Sequence, residues 1–146
     1  MGTRRKSREL ALQALYQGEL ARQARLFDFE EFCAHFQVSK KAIPYAIKLL
    51  GGVQEKSEEI NQLISRYAEN WRLERMSVID RNILRLAVYE VHYQDDVPIS
   101  VAINEAVEIA KSYSTDDSAP FINGILDSMA KEEASGGEGI VKTNLS

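Results

Sequence analysis

Residues Ser77–Tyr93 read SVIDRNILRLAVYEVHY. Ile79, Ile83, Leu86, Ala87 and Val91 recur at spacings of three and four, the period that places side chains on one face of an α-helix. Ser77 stands where an N-cap is needed. Asp80, three residues on, completes a weak capping box with Asp in place of the usual Glu or Gln. A helix patterned this way has to bury its stripe, and the sequence on either side supplies more helices rather than strands.

Downstream, QDDVP ends this helix, and Asp96 and Pro98 open the next, ISVAINEAVEIAKSY. Its expected core face is Ile99, Ala102, Ile103, Ala106, Val107 and Ala110. Asp116, Asp117 and Pro120 start a last helix with Phe121, Ile122, Ile125, Leu126 and Met129 inward. Upstream, AENWRLERM (68–76) reads as a connection anchored by Trp71. Before it, Pro44 suits the first turn of a helix carrying Ala46, Ile47, Leu49, Leu50 and Val53. That helix continues or restarts through Ile60, Leu63, Ile64 and Tyr67, with Gly51-Gly52 as a bend. Phe27, Phe29, Phe32 and Phe36 suggest a short helix, and Leu10, Ala11, Ala14, Leu15, Gly18 and Ala21 mark an opening one from Ser7 to about Arg22. No stretch alternates with the strand period, and no fixed repeat is visible. The expected fold is all-α, about seven helices. Residues 1–133 make a single domain, and residues 134–146 a flexible tail too poor in apolar residues to pack.

The totals agree with one soluble helical domain. Of 146 residues, 45% are hydrophobic and 27% charged, with three prolines and eight glycines. The single Cys33 excludes an internal disulfide and favours a reducing cytoplasm. No apolar run approaches a membrane span, and no signal-peptide core follows the basic start. The sequence carries no recognisable catalytic constellation. Cys33 and His35, two apart on a helix, point to different faces. His92 stands alone, and the acidic pairs fall on polar faces or at helix starts. No phosphate-binding glycine loop or nucleophile elbow occurs. The expectation is a non-enzyme without metal or cofactor.

Charge is distributed unevenly. Arg4, Arg5, Lys6 and Arg8 lie within the first eight residues of a chain whose net charge is −4; the rest holds 14 basic against 22 acidic residues, a net of −8. At about 100° per residue, with Arg4 at zero, Arg8 falls near 40°, Arg5 near 100° and Tyr16 near 120°. The stripe Leu10–Ala14–Gly18 centres near 240–320°. Guanidinium groups beside an exposed ring suit single-stranded RNA, gripping phosphates while a base stacks. The same residues also fit a solvated N-terminus with Tyr16 half-buried. Phe121 in the first turn of the last helix lies near amides that can hold a phosphate, for which Asp117 competes as an N-cap.

RRKSRELALQALYQ, VIDRNILRLAVYE and VPISVAINEAVEIAKSYSTDDSAPFINGILD together resemble the bacterial NusB family of transcription antitermination factors, in order and spacing from residue 3 to residue 131. The resemblance implies two perpendicular three-helix bundles. It also implies a non-catalytic role in which boxA RNA of ribosomal RNA leader transcripts is bound with NusE, a ribosomal small-subunit protein, and the pair joins RNA polymerase with other Nus factors. RNA binding then falls to Arg4, Arg5, Lys6, Arg8, Tyr16, Phe121 and Asp117. NusE docking falls to Asp80, extended to Arg75 and Tyr67. A homodimer through the RNA flank stays open. Ala119-Pro120 departs from relatives that carry polar or basic residues there. The same module occurs fused to RNA cytosine methyltransferases, and the length here favours a stand-alone factor.

Two other readings compete. In a helix-turn-helix DNA-binding protein, the second helix would be INEAVEIAK, which exposes Glu105 and Glu108 with only Lys111 basic and would repel a phosphate-lined groove. A protein-binding scaffold would work through an acidic face around Glu74, Asp80 and Glu90.

Overall fold

The computed structural model describes residues 2–21, 33, 39–68 and 72–134. Six α-helices occur among them: α1 (Thr3–Ala21), α2 (Ile43–Glu55), α3 (Ser57–Tyr67), α4 (Val78–Tyr93), α5 (Ile99–Tyr113) and α6 (Ser118–Ala134). Short 3₁₀ turns, Lys40–Ala42 and Leu73–Arg75, precede α2 and α4. The described residues contain no strand, so the all-α expectation holds. Most of the Phe-rich segment, His35, Trp71 and the tail beyond Ala134 lie outside the described residues. No helix among the described residues is long and apolar enough to cross a membrane.

Ser77 caps α4 as its sequence suggests: its hydroxyl accepts the Asp80 N–H at 3.0 Å. The single-stripe reading of α4 was too narrow, because Leu84, Val88 and Val91 are fully buried and Asn82, Glu90 and His92 are buried as well. A helix enclosed on most of its circumference is central rather than superficial. It packs against α1, α2, α3, α5 and α6.

α1 is enclosed on two sides. Leu10 and Ala14 form a small cluster with Ala46 of α2, against which Cys33, Ile43 and Leu50 pack. Ala11 and Leu12 belong instead to the main core with Leu49, Leu84, Ile122 and Leu126. On the wheel Leu12 lies near 80°, inside the sector assigned to the RNA flank, so the buried arc is wider than the Leu10–Gly18 stripe implied. Ile47 departs from its expected core role, being 52% exposed.

The expected bend at Gly51-Gly52 is absent. α2 runs through both glycines, and the break falls at Lys56, after which α3 starts. The two glycines have different surroundings. A β-carbon on Gly51 would meet nothing within 4 Å, whereas one on Gly52 would collide with the Tyr89 ring. Gly52→Ala gains about 1 kcal/mol of helix propensity. Overpacking against a ring that also stacks on Tyr93 costs more, about 1–3 kcal/mol. Net destabilisation is expected in urea titration, together with neutral or stabilising behaviour for Gly51→Ala. Equal midpoints for the two variants would contradict this packing.

Candidate nucleic-acid interface

The N-terminal turns of α1 are held by polar contacts that begin at Ser7. Its buried hydroxyl lies 2.7 Å from the Ala42 carbonyl oxygen and 3.0 Å from that of Thr3, pinning α1 to the turn before α2. One residue later Arg8 enters the interior. Its Nε donates to both Glu90 carboxylate oxygens, at 3.0 and 2.9 Å, and the two residues are only 6% and 2% exposed. The Tyr45 hydroxyl donates to the same carboxylate. Burial first, then the Glu90 charge, pushes the Tyr45 phenol far above its ordinary value, so it remains a donor.

The neighbouring arginines also meet acids. Arg5 forms a two-point fork with Glu105 of α5, Nε to Oε1 at 2.8 Å and a terminal nitrogen to Oε2 at 2.7 Å. Arg8 adds a longer contact to Glu105 at 3.4 Å. Arg4 reaches Asp96 at 2.9 Å and lies 4.0 Å above the centre of the Tyr45 ring. The hydrogen bond from Arg5 holds Glu105 below the usual carboxylate range, and the bond from Arg4 does the same for Asp96. A depressed carboxylate value means that both pairs stabilise the fold above the ordinary range and are lost as pH falls through the lowered values.

The expected RNA residues thus separate. Arg4 and Lys6 are exposed, Arg5 and Tyr16 are half-buried, and Arg8 is buried. The Arg8 guanidinium is consumed inside the protein, so its place on the wheel did not make it a surface group. Phe121 is half-buried against the core, and exposed Asp117 offers its carbonyl to the Phe121 N–H at 3.4 Å. Among the described residues, the ion pairs of the α1 arginines go to α4, α5 and the loop between them rather than to the last helix. Surface continuity from α1 runs across α5, where Tyr113 is 39% exposed and interacts with Gln13 of α1. Between α5 and α6 lies a groove of about 660 Å³ whose lining includes Asn104, Lys111, Pro120 and Asn123.

The residues assigned to protein docking gather at the start of α4. Arg81 donates to the carbonyls of Leu73, Glu74 and Met76, fixing the turn that carries exposed Arg75 beside Asp80. Half-buried Tyr67 ends α3, with the Arg66 guanidinium 5.7 Å from its ring centre. Asp80 is only half-buried, and its carboxylate is occupied. It accepts the Ser114 hydroxyl at 2.6 Å and the Ser118 hydroxyl at 2.9 Å, joining the ends of three helices. Glu90, considered as part of an exposed acidic face, lies in the core.

The NusB family model matches residues 5–131. The chain belongs to the NusB family. A transcription antitermination protein NusB from Desulfosudis oleivorans is 50% identical over 135 residues, covering 90% of this chain and 88% of the relative. Thermotoga maritima NusB, solved in a P3121 crystal form, is 45% identical with a TM-score of 0.77, covering 88% of this chain and 91% of that one. Antitermination factors NusB and NusE in complex with double-stranded RNA supply another similar structure, at 26% identity and TM-score 0.78, covering 89% of this chain and 97% of that one.

On this NusB-family scaffold, the part that sequence reading missed is the acidic counter-face of the arm: Glu90, Asp96 and Glu105, with Tyr45 between them. Each was visible as a letter. What pairs them with residues 4, 5 and 8 is contact across 82 to 100 positions of chain. No local spacing reports such contacts.

Proposed function

We propose that this chain is a cytoplasmic, non-catalytic antitermination factor. It binds boxA RNA of ribosomal RNA leader transcripts together with NusE, and the pair joins RNA polymerase and other Nus factors. The observation that carries the reading is the exposure along α1 on a NusB-family scaffold: Arg4 and Lys6 exposed and Arg5 half-buried in its first turns, and the Tyr16 ring half-buried about three turns further on. Arg8 serves this flank by anchoring α1 to α4 through Glu90. Phe121 and Asp117 extend the RNA surface across α5. Asp80, Arg75 and Tyr67 mark the NusE-facing end, with exposed Arg75 and the neighbouring Glu74 as its accessible charges, Arg81 holding the backbone that presents them and Asp80 tying the start of α4 to Ser114 and Ser118.

The occupant is taken to be a single strand, because a half-exposed ring offers its face only to an unpaired base. The similar NusB–NusE complex holds duplex RNA, so competition between the two forms is the informative assay. Fluorescence anisotropy with labelled boxA RNA, with and without NusE, should show tighter binding when NusE is present and weaker competition by duplex. Tyr16→Ala should weaken binding by about 1–3 kcal/mol, roughly 5- to 150-fold, if a base stacks on the ring. Binding of boxA RNA no tighter than of a scrambled strand, with NusE present, would remove the assignment.

A further inference from the structure

The arginines of α1 are compensated by Glu90, Asp96 and Glu105, but a second set of cations beside them is not. Lys40 and Lys41 lie in the turn that Ser7 ties to α1, and Lys48 lies on α2. All three are exposed, and the ion pairs among the described residues include none of them. Lys41 lies in the 3₁₀ turn that leads into α2, and Tyr45 and Lys48, three residues apart, share one side of α2 itself. Tyr45 in turn lies under the Arg4 guanidinium, so this part of α2 adjoins the α1 arm.

We propose that Lys40, Lys41 and Lys48 form a second phosphate track, which carries RNA flanking the boxA element past α1 and along α2. The inference rests on the RNA-binding reading above and adds a surface to it. Lysine suits this task. Its ammonium is a mobile point charge that follows a flexible backbone without demanding one geometry, and it contacts phosphate without reading a base. Having no ion pair among the described residues, these lysines can neutralise phosphates without first giving up such a partner, unlike Arg4 and Arg5. A nucleic-acid occupant is favoured over an acidic protein because the lysines adjoin the arm, through the Ser7–Ala42 hydrogen bond and the Arg4–Tyr45 contact.

The test compares a minimal boxA RNA with the same RNA extended by uridines at either end, each bound to the parent and to a Lys40→Ala/Lys41→Ala/Lys48→Ala variant. The parent should bind one extended RNA on the order of tenfold more tightly than the minimal one, and the triple variant should lose that gain. On the extended RNA, the slope of log affinity against log salt should fall by about 2 in the variant, from a factor of about 0.7 per lost contact. Both proteins should bind the minimal RNA alike. No gain from either extension, or a gain that survives in the triple variant, would overturn the track. Loss of retention on immobilised polyglutamate with unchanged RNA binding would likewise overturn it and make these lysines a protein-docking surface. A parent that binds the minimal RNA while the track fails leaves the proposed function standing; a parent that fails on minimal RNA removes both.

Discussion

Arg8→Ala is expected to destabilise the fold by about 3–5 kcal/mol, because it removes the guanidinium that donates to both oxygens of the buried Glu90 carboxylate. For a chain of this size that corresponds to a fall in melting temperature on the order of 10 °C. Circular dichroism melts provide the measurement. The loss belongs to the charge pair rather than to missing volume, and replacing both partners tests this directly. Arg8→Met combined with Glu90→Leu removes both charges and keeps much of the bulk, so it should recover most of the lost stability. Tyr45 then loses its acceptor, which limits recovery. If Arg8→Ala melts with the parent, or if the double variant is as unstable as the single, the buried pair is not what holds α1 against α4. At temperatures where the variant stays folded, its effect on RNA affinity should be smaller than that of changing Lys6, since Arg8 lies inside.

This pair also marks the limit of what the sequence discloses. Helices α4, α5 and α6 are legible because each carries a cap or proline at its start and a 3.6-residue apolar period along its length. The Ser77 cap is a local hydrogen bond between residues three apart, and local chemistry is what a sequence records best. The width of each buried arc is less legible. Leu12, Leu84 and Ile109 lie off the stripes read from spacing, yet all are buried because α1, α4 and α5 are each covered from more than one direction. Arg8 fails for the same reason: at 40° it shared a sector with the exposed Arg4, but α4 covers that sector and supplies Glu90. The acidic total that contrasted with a basic opening has its explanation here. Three of the four opening cations are matched by carboxylates of α4, α5 and the loop between them. Only tertiary contact reveals that match, and among the described residues Lys40, Lys41 and Lys48 have no such ion pair.

Replacing Arg4, Arg5 and Lys6 together by alanine should lower boxA affinity by about 100-fold near 0.1 M salt and reduce the salt slope by about 2. Both figures follow from three contacts at about 0.7 released counterions each. Stability should change less than for Arg8→Ala, because Arg4–Asp96 is an exposed pair worth at most about 1 kcal/mol, Lys6 is exposed, and loss of the part-buried Arg5 pair leaves Glu105 in contact with Arg8. Arg5 and Arg4 reach a phosphate only by leaving Glu105 and Asp96, so these carboxylates act as internal competitors with the strand. Glu105→Gln should therefore tighten RNA binding, while the triple alanine variant weakens it. One change removes the Arg5 guanidinium and the other weakens its internal partner, and opposite signs in one titration would tie the effect to that group. An RNA affinity and salt slope unchanged by the triple replacement, in a protein that still melts normally, would mean that the α1 flank does not carry the strand.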